Sequence, residues 1–94
     1  MKKNINIIAE IGVNHDGKIN KAIKLVELAK ECGADTVKFQ NFSAENLVKL
    51  NTKKTNYQLN TTPKRQSHYE MLKKLELRKE DFTRIASFCK KIKI

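Results

Sequence analysis

A chain of 94 residues with 39% hydrophobic side chains can build one small domain with a modest core. No run of about 18 apolar residues exists to cross a bilayer, and the patch Ile5 to Ile8 behind Met1-Lys2-Lys3 is too short for a secretory core, so the expectation is a cytoplasmic protein with no membrane partner. The formal net charge of +10 is uneven: residues 1–48 hold seven lysines against six acids (+1), and residues 49–94 hold thirteen Lys/Arg against four acids (+9).

Residues 4–11 (NINIIAEI) form a β-branched, largely apolar run, which predicts a strand buried on both faces. Gly12 and the cluster Asn14-His15-Asp16-Gly17 break it with turn chemistry. Over 18–32 the apolar residues Ile19, Ala22, Ile23, Val26 and Ala29 recur at helical spacing, with lysines and glutamates filling much of the other side. Asp16 or Asn20 suits the start of that helix, and Gly33 sits where a left-handed C-terminal cap belongs. Residues 35–40 (DTVKFQ) predict a second short strand, so the order strand, helix, strand is one βαβ unit with parallel strands and a right-handed crossover.

Residues 41–66, rich in Asn, Thr and Lys with the single proline at Pro63, read as a long loop. Residues 67–91 are helical: weakly around Met71, Leu72 and Leu75, and clearly from Glu80, where Phe82, Ile85, Ala86 and Cys89 keep i, i+3, i+4, i+7 spacing. The tail Lys91-Ile92-Lys93-Ile94 alternates like the lead-in to a third strand. Cys32 and Cys89 each fall on an apolar helical face and read as small buried hydrophobes. The basic half has only three arginines, Arg65, Arg78 and Arg84, and no aromatic platform, so a solvated lysine surface is the reading and no nucleic-acid partner is expected.

Polar, reactive side chains stand at the end of both predicted strands, where parallel α/β folds build their sites. Glu10 is followed by Asn14 and His15, and Lys38 by Gln40. A carboxylate within Ile-Ile-Ala-Glu-Ile-Gly and an ammonium within Thr-Val-Lys-Phe-Gln each need a partner or a task. A structural Glu10–Lys38 ion pair satisfies that need as well as a catalytic one does.

The string Ala9-Glu10-Ile11-Gly12-Val13-Asn14-His15-Asp16-Gly17, an amphipathic helix, and then Gly33-Ala34-Asp35-Thr36-Val37-Lys38-Phe39-Gln40 resemble the opening of the sialic acid synthase family. Tyr57-Gln58-Leu59 and the stretch Tyr69 to Leu77 extend the likeness along essentially the whole chain. The resemblance implies an α/β fold, the first two βα units of a TIM (β/α)8 barrel, incomplete at 94 residues. It also implies condensation of phosphoenolpyruvate with the aldehyde of an N-acylated hexosamine, giving a sialic or legionaminic acid and phosphate. On that resemblance Glu10 is the catalytic residue, Lys38 binds an anionic group of phosphoenolpyruvate, and Gln40 binds the acceptor sugar. Asn14 and His15 are carried over as substrate-side residues that shape the first loop. A divalent cation, Mn2+ or Mg2+, belongs to the implied enzyme, with its ligands outside this chain, as does a homodimer at full length.

Two other readings stand beside it. The basic half could act as a stand-alone module for nucleic acid or anionic surfaces. Lys38 could instead be the Schiff-base lysine of another barrel aldolase, although nothing nearby in sequence lowers its pKa.

Overall fold

The computed structural model of the chain describes residues 4–50 and 68–94. In order these form strand β1 (Ile8–Gly12), helix α1 (Ile19–Glu31), strand β2 (Thr36–Phe39), helix α2 (Ala44–Leu50), helix α3 (His68–Leu75) and helix α4 (Lys79–Ile92). β1 and β2 pair in parallel, Ile8 with Thr36, Ala9 with Val37 and Glu10 with Lys38, before an irregularity sets Gly12 opposite Phe39. The parallel pairing expected from strand-helix-strand order is therefore present.

α1 starts without a side-chain cap at Lys18, and Asp16 ion-pairs with Lys21 instead of capping. Its other end follows the sequence closely. Gly33 adopts φ +94°, its N–H donates to the Lys30 carbonyl, and the Ala34 N–H reaches back to Ala29. This is a Schellman closure, which needs the left-handed conformation that glycine takes without a Cβ penalty. Across the sheet's lower end, the Asp35 carboxylate accepts the Ile7 N–H at 2.8 Å, and the Ile7 carbonyl accepts from Asp35 and Thr36.

The core joins β1, α1, α4 and the link before α4 through Ile11, Ala22, Val26, Ile85 and Leu77, all buried. Burying each of the larger ones, Ile11, Val26, Leu77 and Ile85, contributes about 1.5–3 kcal/mol. Phe39 of β2 closes the cluster by meeting Phe82 of α4 edge-on, with centroids 6.3 Å apart. α4 begins at Arg78, whose N–H donates to the Asp81 carboxylate at 3.0 Å. The Arg78 guanidinium and this backbone bond together hold the Asp81 carboxyl below the usual range.

Several expectations are corrected. Only one face of β1 is covered among the described residues: Ile8, on the face opposite Ile11, is 55% exposed, and Ile5 and Ile7, which precede the strand, are 74% and 51% exposed. The loop expected over 41–66 opens with a helix, α2, and residues 51–66 lie outside the described set. Lys91 and Ile92 finish α4 instead of starting a strand, and Lys93 ends the helix in the left-handed conformation. Cys32 is exposed just beyond α1, whereas Cys89 is half-buried against the core, where desolvation pushes its thiol pKa up.

Candidate functional site

Alternation along a strand sends Ile11 and Phe39 to the helices and Glu10 and Lys38 to the opposite face. Register then places those two charges side by side, with Lys38 Nζ 3.4 Å from Glu10 Oε2. Both remain open to solvent, at 68% exposure for the lysine side chain and 49% for the glutamate. An ion pair so exposed is worth about 0–1 kcal/mol of stability, so holding the sheet together is a weak reason for its presence.

Gly12 forms the floor between them and Gln40. It has φ +58°, and a Cβ there would stand 3.2 Å from Glu10 Oε1 and 3.9 Å from the Gln40 amide carbon. The bare Cα thus lets the carboxylate and the amide come down over the end of β1. Gln40 N–H reaches the Gly12 carbonyl at 3.4 Å, tying the two strand ends together. Glu10, Lys38 and Gln40 are therefore one group, as their sequence positions suggested.

Asn14 and His15 do not join it in the same way. Asn14 is exposed in the loop after β1, and its N–H closes a turn onto the Ile11 carbonyl. His15 is fully buried and stacks on Phe39, so its ring has no surface to offer a substrate. Burial pushes its pKa down; Asp16 opposes that shift and Lys21 adds to it.

Beside Gln40 opens an apolar pocket of about 390 Å3, lined by Val13, Gln40, Phe42, Leu47 of α2, and Leu72 and Leu75 of α3. The reading of 41–66 as loop missed the α2 wall. Its signal was present in Ser43, whose hydroxyl accepts the Asn46 N–H at 3.4 Å and whose carbonyl accepts the Leu47 N–H. Ser at a helix start with Glu45 in the first turn is a capping pattern. Glu45 in turn accepts the Tyr69 hydroxyl and lies 3.8 Å from Lys73, joining α2 to α3.

Among the described residues no three His, Cys, Asp or Glu side chains cluster as metal ligands. Glu10 alone, already facing an ammonium, does not fit a divalent cation. Part of the basic charge in the second half is matched internally, with Lys73 on Glu45 and Glu76 and Arg78 on Asp81.

Known proteins are similar to this chain. It is 55% identical over 75 residues to N,N'-diacetyllegionaminic acid synthase of Legionella pneumophila, covering 80% of this chain and 21% of that protein. The Campylobacter jejuni protein of the same name is 53% identical over 77 residues, covering 82% of this chain and 23% of that one. The crystal structure of spore coat polysaccharide biosynthesis protein SpsE from Bacillus subtilis superposes with a TM-score of 0.63 at 32% identity, over all of this chain and 23% of the other. The chain thus spans between a fifth and a quarter of the length of these relatives. The NeuB family model matches residues 25–94, a stretch that includes Lys38 and Gln40. With that match over most of its length, and with an α/β fold similar to that of SpsE, this chain belongs to the NeuB family.

Proposed function

We propose that residues 1–94 supply the first two βα units of a (β/α)8 barrel whose complete form joins phosphoenolpyruvate to an N-acylated hexosamine. The products are a nonulosonic acid of the sialic or legionaminic type and inorganic phosphate. One observation carries this reading: Glu10 and Lys38 face each other in register at the strand ends, with Gln40 beside them over Gly12. Relatives named as legionaminic acid synthases support it.

In the reaction, C3 of phosphoenolpyruvate bonds to the aldehyde carbon, whose oxygen takes up a proton. Water adds at C2, and phosphate leaves as the 2-keto acid forms. Lys38 is a compact cation on an exposed stem, suited to the phosphate or carboxylate of the donor. Glu10, held beside that ammonium, meets the positive charge that develops at C2 or takes part in proton transfer there. Gln40 offers an amide to a hydroxyl or acyl group of the acceptor. A divalent cation would polarise the aldehyde; its ligands belong to the remainder of the enzyme, which we also take to be a homodimer.

The test is a graft of residues 1–94 onto the remainder of the Campylobacter relative. It is assayed for phosphate release with phosphoenolpyruvate, Mn2+ and N-acetylmannosamine or its diacetamido analogue. Turnover is expected from the graft and none from the 94-residue chain. A folded graft that releases no phosphate would overturn the reading.

A further inference from the structure

Among the described residues His15 and Val26 are the largest fully buried side chains, and His15 is polar. Its Nδ1 lies 2.9 Å from the Gly17 nitrogen. A main-chain N–H can only donate, so Nδ1 carries no proton and the neutral ring holds its proton on Nε2. The ring stacks on Phe39 at 6.1 Å with 27° between the planes. Phe39 stands between Lys38 and Gln40 in sequence and is itself braced by Phe82. Gly17 is confined from the other side, since a Cβ there would lie 2.0 Å from the Lys74 carbonyl oxygen at the end of α3. One imidazole therefore touches both the loop leaving β1 and Phe39, the residue between Lys38 of β2 and Gln40 just beyond it.

We propose that His15 is a positioning residue: accepting the Gly17 N–H as a neutral imidazole, it fixes the β1–α1 loop against Phe39 and so keeps Glu10 aligned with Lys38 and Gln40, without touching substrate. The proposal rests on the reading of those three residues as the site. Burial pushes the ring's pKa down, and the two charged groups that act on it, Asp16 and Lys21, are paired with each other.

Two substitutions separate the two contacts. Asparagine at this position can accept the N–H two residues on, in an Asx turn, but has no ring. Phenylalanine keeps a ring and loses the acceptor. In the graft, His15→Phe should lower kcat by about tenfold or more and shift KM for either substrate by less than about threefold. His15→Asn should recover part of that kcat, because it restores the acceptor and not the stack on Phe39. A KM that rises for one substrate at unchanged kcat would overturn the proposal, as would a His15→Asn variant no better than His15→Phe.

A spectroscopic readout does not depend on turnover. In the histidine-labelled graft, long-range 1H–15N correlations should show a bare Nδ1 and a protonated Nε2 at neutral pH. The Gly17 amide signal should move in His15→Phe and much less in His15→Asn, whereas the Gln40 amide signal should move in His15→Asn, which loses the ring on Phe39. A protonated Nδ1, or unmoved amides, would overturn the proposal. A parent graft without activity that still shows these spectral changes would fail only the assigned reaction and leave the loop-fixing role supported.

Discussion

At the scale of single residues, the pairing of Glu10 with Lys38 separates two roles that the sequence leaves open. An exposed pair at 3.4 Å adds little to stability, so removing it should leave thermal unfolding almost unchanged. Lys38→Ala in the graft removes a charge-assisted bond to an anion worth about 1.5–3 kcal/mol, which raises KM for phosphoenolpyruvate about ten- to a hundredfold. Glu10→Gln keeps the shape and lowers kcat. Steady-state kinetics set beside melting curves decide the matter: normal kinetics with a lowered Tm would make the pair purely structural. That these two residues meet was legible in the sequence, since each interrupts an apolar strand at its C-terminal end. The inward turn of His15 was not. Asn-His-Asp-Gly reads as an exposed polar turn, and only the position of Phe39, a long-range contact, gives the imidazole an apolar surface to lie on.

Among the elements, β1, α1 and β2 were legible because period-two and period-3.6 patterns are local. Their boundaries shifted by one to four residues, most at the start of β1, where residues 4–7 precede the pairing. α2 escaped because a helix of this length carries fewer than two full repeats of the apolar pattern, leaving Ser43 as its main signal. The meeting of α3 with the β1–α1 loop is likewise invisible to any local pattern. It gives a contrast between two glycines. Gly17→Ala combines left-handed strain of about 1–2 kcal/mol with a clash against the Lys74 carbonyl, and overpacking of this sort costs a further ~1–3 kcal/mol. Gly33→Ala meets nothing within 4 Å and carries the strain alone. Urea titration of the two graft variants should therefore find Gly17→Ala clearly the less stable; equal midpoints would show that the α3 end does not hold the loop.

For the molecule as a whole, α1 and α4 cover one face of the two-stranded sheet seen among the described residues, and Ile5, Ile7 and Ile8 stand in solvent. Sheet edges without partners and an exposed apolar face favour association or loose packing. The 94-residue chain by itself is accordingly expected to show helical far-UV dichroism, to bind hydrophobic dyes, and to protect its strand amides poorly despite a charge of +10. Amide hydrogen exchange checks this, and strong cooperative protection of β1 and β2 in a monomer would show a self-sufficient domain. In sequence, the apolar run of β1 implied cover on both faces; the described residues supply one layer of it, and the proposed barrel supplies the other.

The irregularity between Glu10 and Gly12 has a consequence for how this segment tolerates change in length. Ile11 has no register partner on β2, yet it is the one β1 residue in the buried core cluster. Hydrogen-bond pairing and hydrophobic anchoring are thus assigned to different residues of the same strand. Deleting Ile11 would even out the register and remove the anchor in a single event, and adding a residue there would turn either Glu10 or Gly12 away from its present side. Lineages of this sequence are therefore expected to vary in side chain at Ile8 and Ala9 while keeping Glu10, Ile11 and Gly12, and the count of residues between Ala9 and Val13, fixed.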